Sequence, residues 1–304
     1  MLKGILEGPY PTGTDAGWIT VNLTSAQSAA DQENFKQMQA AYRVCLNETA
    51  QAEVGLAPLT AFLETILVAA GVGSSSKVNV GGAAALLEGL GIPTLQSLAV
   101  SPADVDPNTN FVAVLPPSFD ELPSSDALLA EYLKVSSTLF AAAHPRNISV
   151  SAAAALLRGV AAFETQLSKF AAQGQRDQAQ NSTDDTAVPR LSLAALDGLA
   201  PELALPKVLA TLVPSDYQVD GLLVLAPTYY ANASRLVANT SSEVLAAFYL
   251  WRGIVALAPY IVAEEASDFN RFRVKAAGGD PDSQQQHVRT APSIRDPFKL
   301  VGNT

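Results

Sequence analysis

Few residues in this chain could do bond chemistry, and they lie far apart. Its 304 residues include two histidines, His144 and His287, 143 positions apart, and one cysteine, Cys45. A hydrolytic zinc takes three protein ligands, and His-Glu-x-x-His supplies two of them from successive turns of one helix. That motif is absent, no cysteine cluster replaces it, and both histidines are expected in loops or at the surface. Cys45 has no histidine in its local sequence, and no Gly-x-Ser-x-Gly elbow presents a serine. The residues assign no catalytic group, no metal ligand and no cofactor.

The other polar groupings read as structural. The stretch "GVGSSSKVNVGG" lacks the G-x-x-x-x-G-K-[ST] order of a phosphate loop and is expected to be a mobile loop. Asp184 and Asp185 fall in a polar linker and are expected to be solvated. Arg176 and Asp177 are adjacent, and neighbours on a helix face apart, so they read as a turn anchor rather than an acid–base couple. Trp18 and Trp251 read as packing residues.

Asparagine supplies a different kind of chemistry. Six of the twelve asparagines, Asn22, Asn47, Asn147, Asn181, Asn232 and Asn239, open Asn-x-Ser/Thr triplets, where composition alone gives about two; such triplets accept glycans only in exported chains. They point to a secretory history. The N-terminus "MLKGILEGPYPTGTD" reads otherwise: Glu7, Pro9 and Pro11 interrupt the place of a signal peptide's apolar run. The expectation is that the natural beginning lies upstream. A net charge of −10 and a pI near 4.7 repel a phosphate backbone, which sets nucleic acid aside as a partner.

Local sequence patterns outline the elements that would carry these residues. Residues 1–30 read as irregular. From Asp31 the pattern turns helical, with Phe35, Met38, Tyr42 and Cys45 on one face. "APLTAFLETILVAAG" follows, with Pro58 in its first turn and Gly71 as its stop. "GGAAALLEGLGIPTLQSL" reads as two short helices broken at Gly91 and Pro93, and "NFVAVLPPSFDELP" as extended chain and loop. Ser124 or Ser125 caps a helix through "DALLAEYLKVSSTLFAAAH". "SVSAAAALLRGVAAFETQLSKFAAQ" is a further helix of about 24 residues by its apolar period. A polar link leads to two short helices, "LSLAALDGLAP" and "LPKVLATLVP". "YQVDGLLVLAP" is the best strand candidate, and "TYYANASRLVAN" is helical.

The stretch from Ala246 to Ala263 is 18 residues with one charge, Arg252. Thr240 and Glu243 form a capping box before it, and a helix from Ser241 to Glu265 would run about 37 Å. A charge at its middle would cost at least about 2.5 kcal/mol in lipid, and Pro259 breaks its last turns. It therefore reads as the buried spine of a large helical protein rather than a membrane span. The fold class is mainly α: a multi-helical lobe with long packed helices and at most a few short strands.

Taken in order, several stretches resemble the neprilysin and endothelin-converting-enzyme zinc peptidases. In "NFKQMQAAYRVCLNETAQAEVGLAPLTAFLETI", Tyr42, Cys45, Gly55, Pro58 and Leu59 stand where that family has Tyr-x-x-Cys and then Gly-x-x-Pro-Leu. Glu164, Leu167, Arg176 and Asp177 match its helix with Glu-x-x-Leu and a closing Arg-Asp. Leu250, Trp251 and Arg252 match its Tyr-Leu-x-Trp-Arg helix, and "FNRFR" follows in the family's order.

The resemblance covers residues 1–283 and implies an incomplete N-terminal cap domain; 284–304 diverges from the family, and its polar composition without periodicity reads as a disordered tail. It implies a truncated member whose zinc, catalytic lobe and short-peptide substrates belong to the complete enzyme. It implies an extracellular or membrane-tethered ectodomain, although this chain shows no signal peptide or anchor. Cys45 would pair with a cysteine of the missing segment, and Arg252 with a carboxylate or carbonyl. The implied function is a non-catalytic lobe that gates access to the zinc, inactive alone. Two other readings stay open: a secreted helical glycoprotein that binds peptides or a partner, and a cytosolic helical scaffold.

Overall fold

The computed structural model describes residues 2–10, 23–73, 77–102, 110–119, 123, 125–181, 190–214, 219 and 221–280, without the side chains of 2, 101, 102 and 181. Trp18, Asn22, Ser124, Asp184, Asp185, His287 and the tail from 284 lie outside them. The chain forms two compact units, the first carried by Met1–Gly55 and the second by Leu56–Gln285.

The first unit is helical earlier than its sequence suggests. α1 spans Leu2–Glu7, and α2 spans Ser25–Leu46 rather than starting at Asp31. Thr24 and Gln27 form a complete capping box at the start of α2, an N-terminal signal the apolar period does not reveal. The expected apolar face is also thinner. Phe35 is buried against the edge of Tyr10, but Met38 and Cys45 are exposed. Gln39 Nε2 donates to the carbonyls of Leu6 and Gly8, so a polar side chain fastens the N-terminal strap to α2. α3 (Glu48–Val54) follows after the Asn47 cap.

The second unit holds α4 (Ala57–Ala69), α5 (Val80–Glu88), strands β1 (Ser97–Pro102) and β2 (Asn110–Leu115), then α6 (Asp126–Ala143) and α7 (Val150–Asn181). β3 (Arg190–Leu191), α8 (Leu193–Leu199), α9 (Leu205–Leu212) and β4 (Leu222–Val224) come next. α10 (Pro227–Ala238), α11 (Ser242–Leu257) and α12 (Glu264–Ala276) complete it. Mainly α is thus the class, with one small sheet ordered β1-β2-β4-β3. β1 and β3 pair antiparallel to their neighbours, and β2 runs parallel to β4.

Three expectations change here. The second of the helices assigned around Gly91 and Pro93 is strand β1. Gly91 takes a left-handed φ of 72° and ends the helical path, and Ser97–Pro102 then finds its partner in β2, from Ser97 opposite Leu115 to Pro102 opposite Asn110. α7 is 32 residues long; it continues through the polar "GQRDQAQN" because Gln173 bonds both Arg176 and Asp177 one turn on. Ser241, not Thr240, caps α11: its hydroxyl accepts from Val244 N at 3.3 Å, while Thr240 donates to Leu236 O.

The apolar stretch from Ala246 to Ala263 is not one helix. α11 ends at Leu257, Ala258–Tyr260 form a 3-10 turn around Pro259, and α12 leaves at 90°. Proline cannot continue the backbone ladder, and Asn270 donates from α12 to the Ala258 carbonyl at 2.9 Å, which fastens the bend. Among the described residues no single helix is long and apolar enough to cross a membrane.

α11 is apolar nearly all round because protein covers it on several sides. Leu245, Phe248, Tyr249, Leu250, Trp251 and Ile254 are all buried. α4 contributes Leu59, Leu63 and Ile66 to the same core, and α7 contributes Leu157, Val160, Phe163 and Leu167. The approach to α4 requires glycine at 253, where a Cβ would stand 2.8 Å from Ile66 Cδ1 and 3.2 Å from Phe62 Cε1.

Candidate functional site

Among the described residues, buried polar chemistry gathers where α11 meets α7 and the α5–β1 connection, with Thr94, Gln96 and Glu164 all buried there. Arg252 projects from the core helix, and three elements receive it. Its Nε donates to the Pro93 carbonyl at 3.1 Å. One terminal nitrogen stands 3.8 Å from Glu164 Oε1 of α7, both side chains being about nine-tenths buried. Its guanidinium carbon lies 4.9 Å above the Phe119 ring. Arginine suits this place because its charge persists in low dielectric and its planar fork serves several acceptors at once.

Beside it, Glu88 at the end of α5 accepts two hydrogen bonds from one residue, Thr94 N at 3.0 Å and Thr94 Oγ1 at 2.9 Å. Burial pushes the Glu88 carboxyl up from the ordinary 4.5 to about 7, against the opposing pull of the two Thr94 donors and the Arg252 charge. Gln96 is fully buried, and neither of its side-chain polar atoms has a bonding partner among the described residues. Tyr229 donates to the Leu95 carbonyl at 2.7 Å from α10; burial holds its phenol, and that of Tyr249, well above the usual range.

Glu88, Thr94, Tyr229 and the Arg252 Nε bond to one another or to backbone. The arrangement can carry a proton on Glu88 and hold a cation in place. Its effect is to tie three elements together in register.

Arg176 and Asp177 sit inside α7, so the expected turn is absent. Asp177 accepts from Thr228 Oγ1 at 3.0 Å, and the next residue, Gln178, accepts from Ala226 N at 2.6 Å. Ala226 itself is left-handed, with φ 53°. The last turns of α7 therefore hold the entry to α10. Trp251 is buried with Phe269 edge-on at 5.3 Å. His144 ends α6, its Nδ1 accepting from Arg146 N at 3.1 Å. Burial, then the Arg146 charge, lowers its pKa, with Glu64 opposing. Cys45 is exposed with a free thiol.

The sequons differ in setting. Asn47 caps α3, Asn147 occupies an exposed turn, Asn232 is half-buried inside α10, and Asn239 ends α10. The side chain of Asn181 lies outside the described residues.

Glu88, Thr94 and Gln96 escaped the sequence reading. No local motif links a glutamate to a threonine six positions on across Gly91 and Pro93; only the fold of that connection does. Among the described residues no group of three or more His, Cys, Asp or Glu could hold a metal ion.

Comparison with known proteins places this geometry. The family profile described as peptidase family M13 matches residues 19–293. The Mycobacterium tuberculosis zinc metalloprotease Zmp1 in its open state superposes with a TM-score of 0.60 at 18% identity, over 78% of this chain and 36% of that one. Zmp1 in complex with inhibitor gives 0.60 at 20%, over 76% and 35%. PepO from Lactobacillus rhamnosis HN001 gives 0.58 at 17%, over 81% and 39%. Among curated protein sequences none matches. The chain thus spans little more than a third of the length of these solved relatives, and at such identity the likeness is one of fold.

The zinc implied by the Zmp1 comparison finds no fitting ligand group among the described residues. The chain has two histidines and one cysteine, of which His144 caps a helix and accepts from a neighbouring backbone amide. What the profile and the fold establish together is ancestry: the chain belongs to peptidase family M13.

Proposed function

We propose that this chain is the non-catalytic, substrate-gating lobe of an M13-type zinc metalloendopeptidase. In this reading a companion catalytic lobe supplies the zinc ligands and the water-activating base. The helical lobe closes over that lobe's cleft and admits short peptides while excluding folded proteins. The protein works outside the cell or as a membrane-tethered ectodomain, the setting in which Asn-x-Ser/Thr triplets such as those of this chain accept glycans.

One observation carries the reading. A family profile of a peptidase covers residues 19–293, yet the residues there build a cross-braced helical lobe and no metal-ligand set among those described. The Arg252–Glu164–Pro93 brace gives that lobe the stiffness a gate needs, since a buried pair fixed from three elements resists shear.

The test is enzymatic. The purified chain with added zinc is expected to leave a fluorogenic short peptide uncleaved. Joined to a family catalytic lobe, it is expected to preserve cleavage of the short peptide and suppress cleavage of a denatured protein substrate. Chelator-sensitive cleavage by the chain alone would overturn the reading. Peptide binding by the chain, with no effect on a catalytic lobe, would favour a secreted binding glycoprotein in its place.

A further inference from the structure

The triplets that open at Asn147, Asn232 and Asn239 are alike in sequence and unlike in the second unit's structure. Asn147 closes the turn between α6 and α7, its backbone N–H donating to the His144 carbonyl at 3.2 Å. Its φ is 47°, a left-handed conformation that asparagine tolerates better than most residues. It is exposed, and among the described residues no hydrogen bond engages its side-chain amide. Ile148 packs against the core immediately afterwards, and the triplet's hydroxyl, Ser149 Oγ, accepts from Ala152 N at 3.2 Å at the start of α7. The turn is held from both sides while its asparagine stands free.

Asn239 and Asn232 are committed elsewhere. Asn239 Nδ2 donates to the Arg235 carbonyl at 2.7 Å and closes α10, so a sugar would attach to the atom that terminates the helix. Asn232 is half-buried in mid-helix, and its Oδ1 accepts from Arg235 at 3.3 Å. Its triplet hydroxyl, Ser234 Oγ, is buried and accepts from Glu202 N at 3.2 Å. A bulky polar glycan belongs on solvent-facing chain, and of the three only Asn147 offers a free amide there.

We propose that, of these three triplets, Asn147 is the N-glycan acceptor and that Asn232 stays bare. The donor class is a lipid-diphosphate oligosaccharide. Asn147 Nδ2 bonds to the anomeric carbon, the bond from that carbon to the diphosphate oxygen breaks, and the amide gives up one proton as the lipid diphosphate leaves. No electron transfer is involved. The side chain keeps one N–H and its carbonyl. This assignment rests on the export reading above, and the two can fail separately.

The full chain, placed behind a cleavable export leader in a eukaryotic host, is digested with peptide N-glycanase in heavy-oxygen water and mapped by mass spectrometry. The expected result is conversion at Asn147 and none at Asn232. Asn147→Gln removes one glycan-sized step from the intact mass, and Asn232→Gln removes none. Asn147→Gly, which suits the positive φ, removes the same step and guards against a folding defect. An unmodified Asn147 in the exported chain, or Asn232 occupied as fully as Asn147, overturns the proposal. Protein from its own cells that lacks sugar, while the host attaches it at Asn147, overturns the export reading and leaves the site assignment standing.

Discussion

Glu88 Oε1 receives both the amide and the hydroxyl of Thr94, at 3.0 and 2.9 Å, across a connection that contains Gly91 and Pro93. This one contact closes the α5–β1 turn and places the Pro93 carbonyl for Arg252. It also sets a carboxyl group beside a buried cation in a site that resists charge.

A pH dependence of stability follows from it. The folded-state pKa of Glu88 is raised from 4.5 to about 7, so the folded protein holds a proton that the unfolded chain has released. The stabilising contribution is complete below pH 4.5 and is lost as the pH rises through 7. Its size is up to about 3 kcal/mol, at 1.36 kcal/mol per pKa unit. Urea midpoints of the wild type should fall between pH 5 and 8, and Glu88→Gln should flatten that fall. Parallel curves for the two proteins would show that Glu88 is not the titrating group.

The Arg252–Glu164 pair should behave as a buried pair does. Arg252→Met leaves a carboxylate in low dielectric and is expected to cost about 3–5 kcal/mol, which in a domain of this size lowers the melting temperature on the order of 10 °C. The double variant Arg252→Met/Glu164→Gln should lose clearly less than the two single losses summed. Strict additivity in calorimetry would mean that the two side chains do not act on each other.

Close packing at Gly253 makes a third prediction. Gly253→Ala inserts a methyl 2.8 Å from Ile66 Cδ1 and is expected to destabilise by about 1–3 kcal/mol. Ile66→Val removes the opposing methyl, so the double variant should recover part of the loss. An alanine variant as stable as wild type would mean that α4 and α11 are further apart than described.

The start of α11 gives the fourth. Ser241→Ala removes the hydroxyl that accepts from Val244 N and should cost about 1 kcal/mol. Ser241→Asp, which keeps an acceptor at a helix N-terminus, should restore it. A neutral alanine variant in chemical denaturation would show that the cap lies elsewhere.

How far the sequence reaches is best judged on particular segments. Ser125, one of the two serines expected to cap α6, and Pro58 and Gly71 at the two ends of α4 were legible because capping and proline geometry are local: each signal lies within a turn of what it controls. The mainly α class was legible for the same reason, through the alanine and leucine periodicity of α4, α6 and α7. The α11 part of the apolar run at 246–263 lies in the core as read from its composition, but Tyr260 in the turn after it is exposed, and the 90° bend was not foreseen.

The tertiary structure decided the rest. β1 resembled a short helix because a strand takes its stability from a partner, here β2, and nothing within Ser97–Pro102 names that partner. α7 outran its apolar stripe because side-chain bonds along its polar end, and the docking of Asp177 and Gln178 on the entry to α10, keep it helical. The brace of Glu88, Thr94, Arg252 and Glu164 joins residues up to 164 positions apart. Sequence alone determined which residues could be helical and that a lone arginine in an apolar run needed a partner. Which carboxylate and which carbonyl would answer it depended on how separate helices pack, because burial and distance set the strength of a charge interaction and exist only once the chain has folded.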